Sequence, residues 1–370
     1  MQKKRIAIIG AGVAGMALAL LARKQGHEVQ VYERAATHTT MGAGVTLWPN
    51  AMYVLHKMGL AQKVIRAGGT PESLCQYDRS GNRQTTLDIG ELNRHSGYAS
   101  VTILRRDLTR ILGEALTEQG VAIKFATSVT CKEVDSLRQA NDLVVGADGR
   151  MQSVVRRMLF AEAGTPRYQG FINVIGVSKL RPGTLANHIG DFRRPTERFG
   201  IVPVRPDICY WAGAWRTSLD DSRTQHDWLG ELRQRFGGWA EAVQAVLRHP
   251  QPESVRPIFV HDLDPLPYWH KDNMVLIGDA AHASLPTSGQ GACQALEDAW
   301  QLACLMSQQD QLGAVLSQFY RLRIEKTTMA QHVGRQLAQQ LFAGQSDESA
   351  AQPALSLAQL SRLWMQGLDE

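Results

Sequence analysis

The sequence predicts a mixed α/β fold, in which a parallel, doubly wound sheet is interleaved with a second β-sheet domain and followed by C-terminal helices. Three observations predict it. The chain opens on a strand, a glycine-rich turn, a helix and a second strand. Two later buried strands, one central and one near residue 275, each run into a glycine–acid turn. Between those two turns the pattern changes to apolar, aromatic-rich strands joined by short turns.

Arg5-Ile-Ala-Ile-Ile9 is a short β-branched run, as a buried parallel strand requires. Gly10-Ala-Gly-Val-Ala-Gly15 follows. Met16 to Gln25 then reads as a helix rich in Ala and Leu, with Gly26 as its C-terminal cap. Glu28-Val-Gln-Val-Tyr32 is the second strand and ends at Glu33. In this Rossmann-like frame Gly10 permits the tight turn, Gly12 lets the backbone approach a pyrophosphate, and Gly15 lets helix and strand pack closely. The helix N-terminus supplies free N–H groups to phosphates around Val13 and Ala14. Glu33 falls close to the ~20-residue spacing expected of a carboxylate that takes ribose hydroxyls. NAD and FAD enzymes share this opening, so the rest of the chain must choose between them.

The central motif is Asp142-Leu-Val-Val-Gly-Ala-Asp-Gly149, continuing to Ser153 and Arg156. The late motif is Asn273-Met-Val-Leu-Ile-Gly-Asp-Ala-Ala-His282, followed by Pro286-Thr-Ser-Gly-Gln-Gly291 and a helix from Ala292 to Gln308. Taken singly, Asp148 and Asp279 would read as turn or helix-cap acids. Three motifs in this order resemble the FAD-dependent aromatic hydroxylases of the para-hydroxybenzoate and salicylate hydroxylase type, over roughly residues 5 to 330. Arg105-Arg-Asp-Leu108 matches a further mark of that family, an Arg-x-x-Leu helix lying over the FAD.

The resemblance implies FAD-binding segments at 1–70, 101–165 and 263–310, substrate-domain segments at 71–100 and 166–262, and C-terminal helices at 311–370. It implies FAD contacts at Gly10, Gly12, Val13, Ala14, Gly15, Glu33, Arg34, Gly44, Val45, Arg105, Val129, Asp148 and Gly149. It implies others at Gly278, Asp279, Pro286, Gly289, Gln290, Gly291 and Ala292. Asp279 is expected to accept from the ribityl chain. The helix behind Gly291 is expected to direct its N–H groups at the reduced flavin's negative edge. The implied activity is that of an FAD-dependent monooxygenase. NADH or NADPH reduces the flavin, O2 gives a C4a-hydroperoxide, and one oxygen passes to a small aromatic or heteroaromatic substrate. A tetracycline- or polyketide-type monooxygenase shares the fold, and a flavin-bound redox sensor without turnover is the reading from another class.

On the substrate side, Phe171 to Ser178, Arg198 to Pro203 and Ile208 to Trp215 read as strands of a sheet that roofs the flavin. Thr224 to Phe236 and Ala240 to Arg248 read as helices, and Ser254 to His261 as a returning strand. Arg198 and Tyr210 keep the spacing of an active-site Arg–Tyr pair in the urate-hydroxylase-like branch, beside His261-Asp262 and Trp48-Pro-Asn50. Arg198 suits an anionic substrate and Tyr210 a proton donor or acceptor, although pocket lining alone would also place aromatics here. In Gly42-Ala-Gly-Val-Thr-Leu-Trp-Pro-Asn50, small residues let the backbone run beside the flavin ring. Trp48 either stacks near that ring or packs in the core. His282 reads as packing rather than catalysis.

Composition sets the remaining bounds. The chain has 370 residues, 44% apolar and 20% charged, as in ordinary globular proteins. The net charge of +5 comes without a dense basic block, which argues against nucleic acid and suits either cofactor phosphates or a solvated surface. Five scattered cysteines form no C-x-x-C pair and no metal-ligand spacing, as suits a reducing cytoplasm. Glycines break up the apolar N-terminal run, so neither a signal peptide nor an integral membrane segment is expected. Lys132 to Asn141 is read as a trimmed hairpin or bare loop. Val315 to about Phe342 reads as a helix, Gly344 to Pro353 as a polar linker, and Leu355 to Leu368 as a terminal helix docking on its own subunit or a neighbour. Monomer and homodimer remain open.

Overall fold

The computed structural model describes residues 2–38, 43–220, 222–342 and 355–368. Gly42 and the linker from Gly344 to Pro353 lie outside the described residues. Arg5–Ile9 forms the middle of a six-stranded sheet, flanked by parallel partners Glu28–Tyr32 and Leu143–Gly146. Ile123–Lys124 closes one edge, and Met274–Leu276 with the antiparallel His270–Lys271 closes the other. Both faces are covered, so Ile6, Ala7 and Ile8 are buried, which is why the run lacks polar alternation. Ile9 pairs with both Tyr32 and Gly146, and Gly146 with Leu276. That register lines up the three glycine–acid turns along the sheet's carboxyl edge, where ligands of such sheets bind.

The helix Val13–Lys24 starts inside the glycine motif, earlier than the Ala/Leu run suggests, and Gly26 takes the left-handed backbone (φ +87°) just past its end. It packs on the helix Gly291–Gln308. The second sheet has seven strands, in the order Arg256–Asp262, Arg167–Lys179, Ile208–Arg216, Glu197–Arg205, His188–Arg194, Ser73–Asp78 and Arg83–Asp88. It is antiparallel except where His188–Arg194 meets Ser73–Asp78. Its two faces differ. Phe199, Trp211 and Trp215 are buried in a core with Trp228, Leu232 and Phe236 of the helix Gln225–Phe236. Arg198, Gly200, Val202, Tyr210, Ala212 and Ala214 alternate with them and share the opposite face.

One expectation is overturned. Residues 131–140 form a helix, Cys131–Ala140, not a hairpin or bare loop. Thr130 and Glu133 make a capping box, and Val134 is buried with Leu137 packed beside it, so local capping and a short apolar stripe suffice. At the C-terminus, Leu312–Phe342 is one long helix, and Leu357–Met365 docks on its own chain against Ile89–Ser96 and Pro49–Lys57. No helix among the described residues is long and apolar enough to cross a membrane.

Candidate active site

The three glycines of the first turn have different physical roles. A Cβ on Gly10 (φ +108°) would stand 2.3 Å from the Ala147 carbonyl oxygen, and one on Gly15 would stand 2.1 Å from the Gly10 carbonyl oxygen. Those two are glycine because protein already fills the space. A Cβ on Gly12 meets nothing within 4 Å, so the fold leaves room there for something outside the chain. Glu33 ties the turn down: its carboxylate accepts from the Ala11 N–H at 2.8 Å and the Ala35 N–H at 2.9 Å. Arg34 next to it is exposed, and Val129 is half-buried two residues beyond Thr127, whose N–H donates to the Glu33 carbonyl. Val13 and Ala14 are buried in the first helical turn.

At the central turn Asp148 Oδ2 accepts from the Val154 N–H at 2.6 Å, while its Oδ1 is buried without a partner. Burial pushes this carboxyl up, against the opposing pull of Ser153, the Val154 N–H and the Arg156 charge. Gly149 (φ +80°) again faces open space. Buried Arg156 locks this turn to the late one, donating to the Gly149, Arg150 and Ala280 carbonyls. In the late turn the Gly278 N–H donates to Asp298 Oδ2 at 2.7 Å, and a Gly278 Cβ would crowd Ala14 at 3.0 Å. His282 Nε2 bonds the same buried carboxylate at 2.6 Å, in keeping with a packing role.

Asp279 makes no hydrogen bond or ion pair with the described residues, and its Oδ1 is 3.9 Å from where a Gly291 Cβ would stand. Pro286–Ser288 is a single 3₁₀ turn leading through Gly289 (φ +63°) to Gln290. Gly291 then opens an 18-residue helix whose first N–H groups, from Gly291 and half-buried Ala292, have no side-chain cap. Trp48 packs beside Gly289 and against Trp364 of the terminal helix, with ring centroids 4.9 Å apart.

The roof approaches through Tyr210. Its ring lies on the strand Gly44–Leu47, where a Gly44 Cβ would be 2.1 Å from Cδ1, and its hydroxyl pairs with Thr46 Oγ1 at 2.9 Å. Val45 pairs with Ile103, and half-buried Arg105 begins the next helix with its N–H on the Ala43 carbonyl. Burial drives the Tyr210 phenol well above its ordinary pKa, so it remains a neutral donor at physiological pH. Arg198 Nε donates to Asp191 Oδ1 at 2.6 Å, and Arg193 holds Oδ2 at 2.9 and 2.6 Å. Burial of Asp191 (2% exposed) favours protonation, but Arg198 and Arg193 outweigh it and hold the carboxyl below its usual range. Two guanidiniums sharing one carboxylate leave a surplus positive charge on the sheet face that carries Arg198 and Tyr210.

These features fit FAD. An open Gly12 and Gly149, an Asp279 carboxylate that feels the Arg156 charge but has no hydrogen-bond partner among the described residues, an orphaned Asp148 oxygen and an uncapped helix all gather at one sheet edge, beside the roofed strand Gly44–Leu47. Among the described residues no cluster could hold a metal ion. Asp191, which holds Arg193 and Arg198, is a structural partner that motif reading missed, and it belongs to no glycine turn; Thr46 lies in the quoted glycine-rich segment, but its bond to Tyr210 was not anticipated.

Fold and site define a flavoprotein, and comparison with known proteins agrees. Residues 3–309 match the family described as FAD binding domain, and the chain belongs to it. It is 31% identical to 3-amino-4-hydroxybenzoate 2-monooxygenase of Streptomyces cremeus, over 91% of this chain and 87% of that one. It is 29% identical to aurachin C monooxygenase/isomerase of Stigmatella aurantiaca, over 87% and 85% of the two chains. The crystal structure of Klebsiella pneumoniae HpxO complexed with FAD and uric acid has the same fold, with TM-score 0.81 and 22% identity over 93% of this chain and 90% of that one. The chain is an FAD-dependent monooxygenase.

Proposed function

We propose that the chain is an NAD(P)H-consuming aromatic hydroxylase acting on a small, anionic aromatic or heteroaromatic ring held between the strand Gly44–Leu47 and the roof sheet. The observation that carries this reading is the Arg198–Tyr210 face. Arg198 is fixed by Asp191 through Nε, which leaves its terminal N–H groups to take a substrate oxyanion. Tyr210, protonated and held by Thr46, donates to a second substrate oxygen. Val202, Ala212 and Ala214 surround them with apolar surface that keeps water from the reacting carbon. Bound FAD supplies electron transfer from NAD(P)H and the activation of O2, chemistry that no side chain provides. Gly10 to Gly15 and Glu33 would hold its adenosine and pyrophosphate end, and Asp279, Gln290 and the Gly291 helix its flavin end.

Names of relatives such as the aminohydroxybenzoate enzyme, together with the uric acid bound by HpxO, support a small ring bearing ionisable oxygens. The test is NADH and NADPH oxidation with parallel oxygen uptake, screened across urate, salicylate, hydroxybenzoates and hydroxynicotinate. Stimulation by at least one anionic ring, with hydroxylated product, is expected. Yellow protein that no ring stimulates would favour a redox sensor instead.

A further inference from the structure

Behind the roof sheet, on the face turned away from Arg198 and Tyr210, lies a cavity of about 350 Å³. Strand alternation makes its floor. His188, Gly190 and Phe192 line it from one strand, Ile201 and Pro203 from the next, and Tyr77 from the strand on the other side. Asp191, between Gly190 and Phe192 in sequence, points the opposite way and holds Arg198, so the thickness of the sheet separates this cavity from the substrate face. Leu180 and Leu185, from the loop ahead of His188, and Ala242 and Ala245 of the helix Glu241–Arg248 wall it in.

The lining selects a ring. Tyr77 and Phe192 stack with centroids 4.8 Å apart and 16° between their planes, and the side chains of Leu180, Phe192 and Ile201 offer water no hydrogen bonds. One polar handle is set into this apolar floor, the Tyr77 hydroxyl paired with His188 Nε2 at 2.8 Å. Burial, with the nearby Arg83 charge adding to it, holds the His188 imidazole below its ordinary pKa, so the pair is neutral and has capacity for one further hydrogen bond. Among the described residues that line the cavity none is Lys or Arg, and the one acid, Glu241, is exposed at the rim and paired with Arg248. The volume stands at the low end of the ~300–1,000 Å³ usual for small-molecule sites, enough for one small ligand.

We propose that this cavity is a second ligand site, separate from the flavin and its substrate, that takes a neutral single-ring aromatic, with the ring against Tyr77 and Phe192 and a hydrogen-bonding substituent on the Tyr77–His188 pair. It does not rest on the substrate proposed above, which is anionic and lies on the other face. The test is calorimetric titration of the FAD-loaded protein with benzamide and phenol as neutral probes and benzoate as the anion, with flavin absorbance followed in parallel. Arg198→Ala, which strips the substrate face of its cation, is titrated alongside.

At least one neutral probe binds without changing the flavin spectrum, and binds Arg198→Ala as tightly as wild type. Benzoate binds Arg198→Ala about tenfold more weakly than that probe, because the cavity offers its charge no partner. Ala242→Trp places a large ring at an exposed rim position, and affinity for the neutral probe falls about tenfold or more. Tyr77→Phe keeps the stacked ring, loses the hydroxyl and weakens binding by about two- to tenfold. If Ala242→Trp melts below wild type, Ala186→Trp, at a second exposed rim position, takes its place under the same criteria. Failure of both neutral probes to bind would overturn the proposal. So would wild-type affinity in the rim variant, or binding that perturbs the flavin and vanishes in Arg198→Ala.

Discussion

Gly12 and Gly15 are both motif glycines, yet alanine at each should fail in a different way. A Cβ at Gly15 would stand 2.1 Å from the Gly10 carbonyl oxygen, whereas ordinary contact begins near 3.4 Å. Helix and turn must therefore part by about 1.3 Å at a fully buried seam. Overpacking of that kind costs roughly 1–3 kcal/mol, which in a chain of 370 residues lowers the melting temperature by no more than about 2 °C per kcal/mol. Gly12 has φ −79° and ψ −174°, extended backbone that any residue adopts, and its Cβ would meet nothing within 4 Å. Alanine there costs the apo-protein no more than about 1 kcal/mol as a poorer N-cap. It does occupy the space left for the pyrophosphate, and losing charge-assisted N–H contacts worth about 1.5–3 kcal/mol weakens FAD binding by ten- to a hundredfold. The assay is differential scanning fluorimetry of apo-proteins alongside FAD titration. Gly12→Ala that melts far below wild type, or that binds FAD normally, would refute the division of roles drawn from the geometry.

Further outcomes follow from the roof and the tail. Gly44→Ala should push the Tyr210 ring off its strand, raising KM for the substrate and diverting reducing equivalents to hydrogen peroxide; tight coupling in that variant would separate Tyr210 from the site. The depressed Asp191 carboxyl stabilises the fold above its unfolded value of about 3.8, and that contribution disappears only as pH falls through the still lower folded value. The melting-temperature gap between wild type and Asp191→Asn should thus stay level from neutral pH down to about 4 and close below it. A gap already closing between neutrality and mild acid would contradict the Arg193–Asp191–Arg198 tether. Trp364→Ala removes the ring against Trp48 and should cost about 2 kcal/mol, with faster proteolysis of the terminal helix; unchanged melting and cleavage would show the docking to be incidental.

Much of this architecture was legible because it is local. The β-branched run before Gly10, the spacing to Glu33 and the strands ending at Asp148 and Asp279 each carry their meaning within a few residues. Arg198 and Tyr210 were legible only as a spacing shared with a family pair; that they share one face of the sheet follows from the pairing of their strands. What escaped reading depends on contacts distant in sequence. Nothing near Asn50 announces Glu297, and nothing near Glu297 announces Arg323 and Lys326, whose charges converge only when the long C-terminal helix packs back. The helix Cys131–Ala140 escaped for a different reason. Its Thr130/Glu133 capping box was visible, but a ten-residue stretch with one fully buried side chain carries too weak an apolar period to outweigh the expected hairpin.

Anaerobic mixing of the yellow holoprotein with NADH or NADPH, with and without an anionic ring substrate, then readmission of oxygen, tests the central claim most directly. Wild type should bleach faster with the ring present and yield close to one hydroxylated product per reduced nicotinamide consumed, while Arg198→Ala should bleach but release mainly peroxide. Flavin that bleaches equally with and without every ring, and oxidised back without product, would contradict the account.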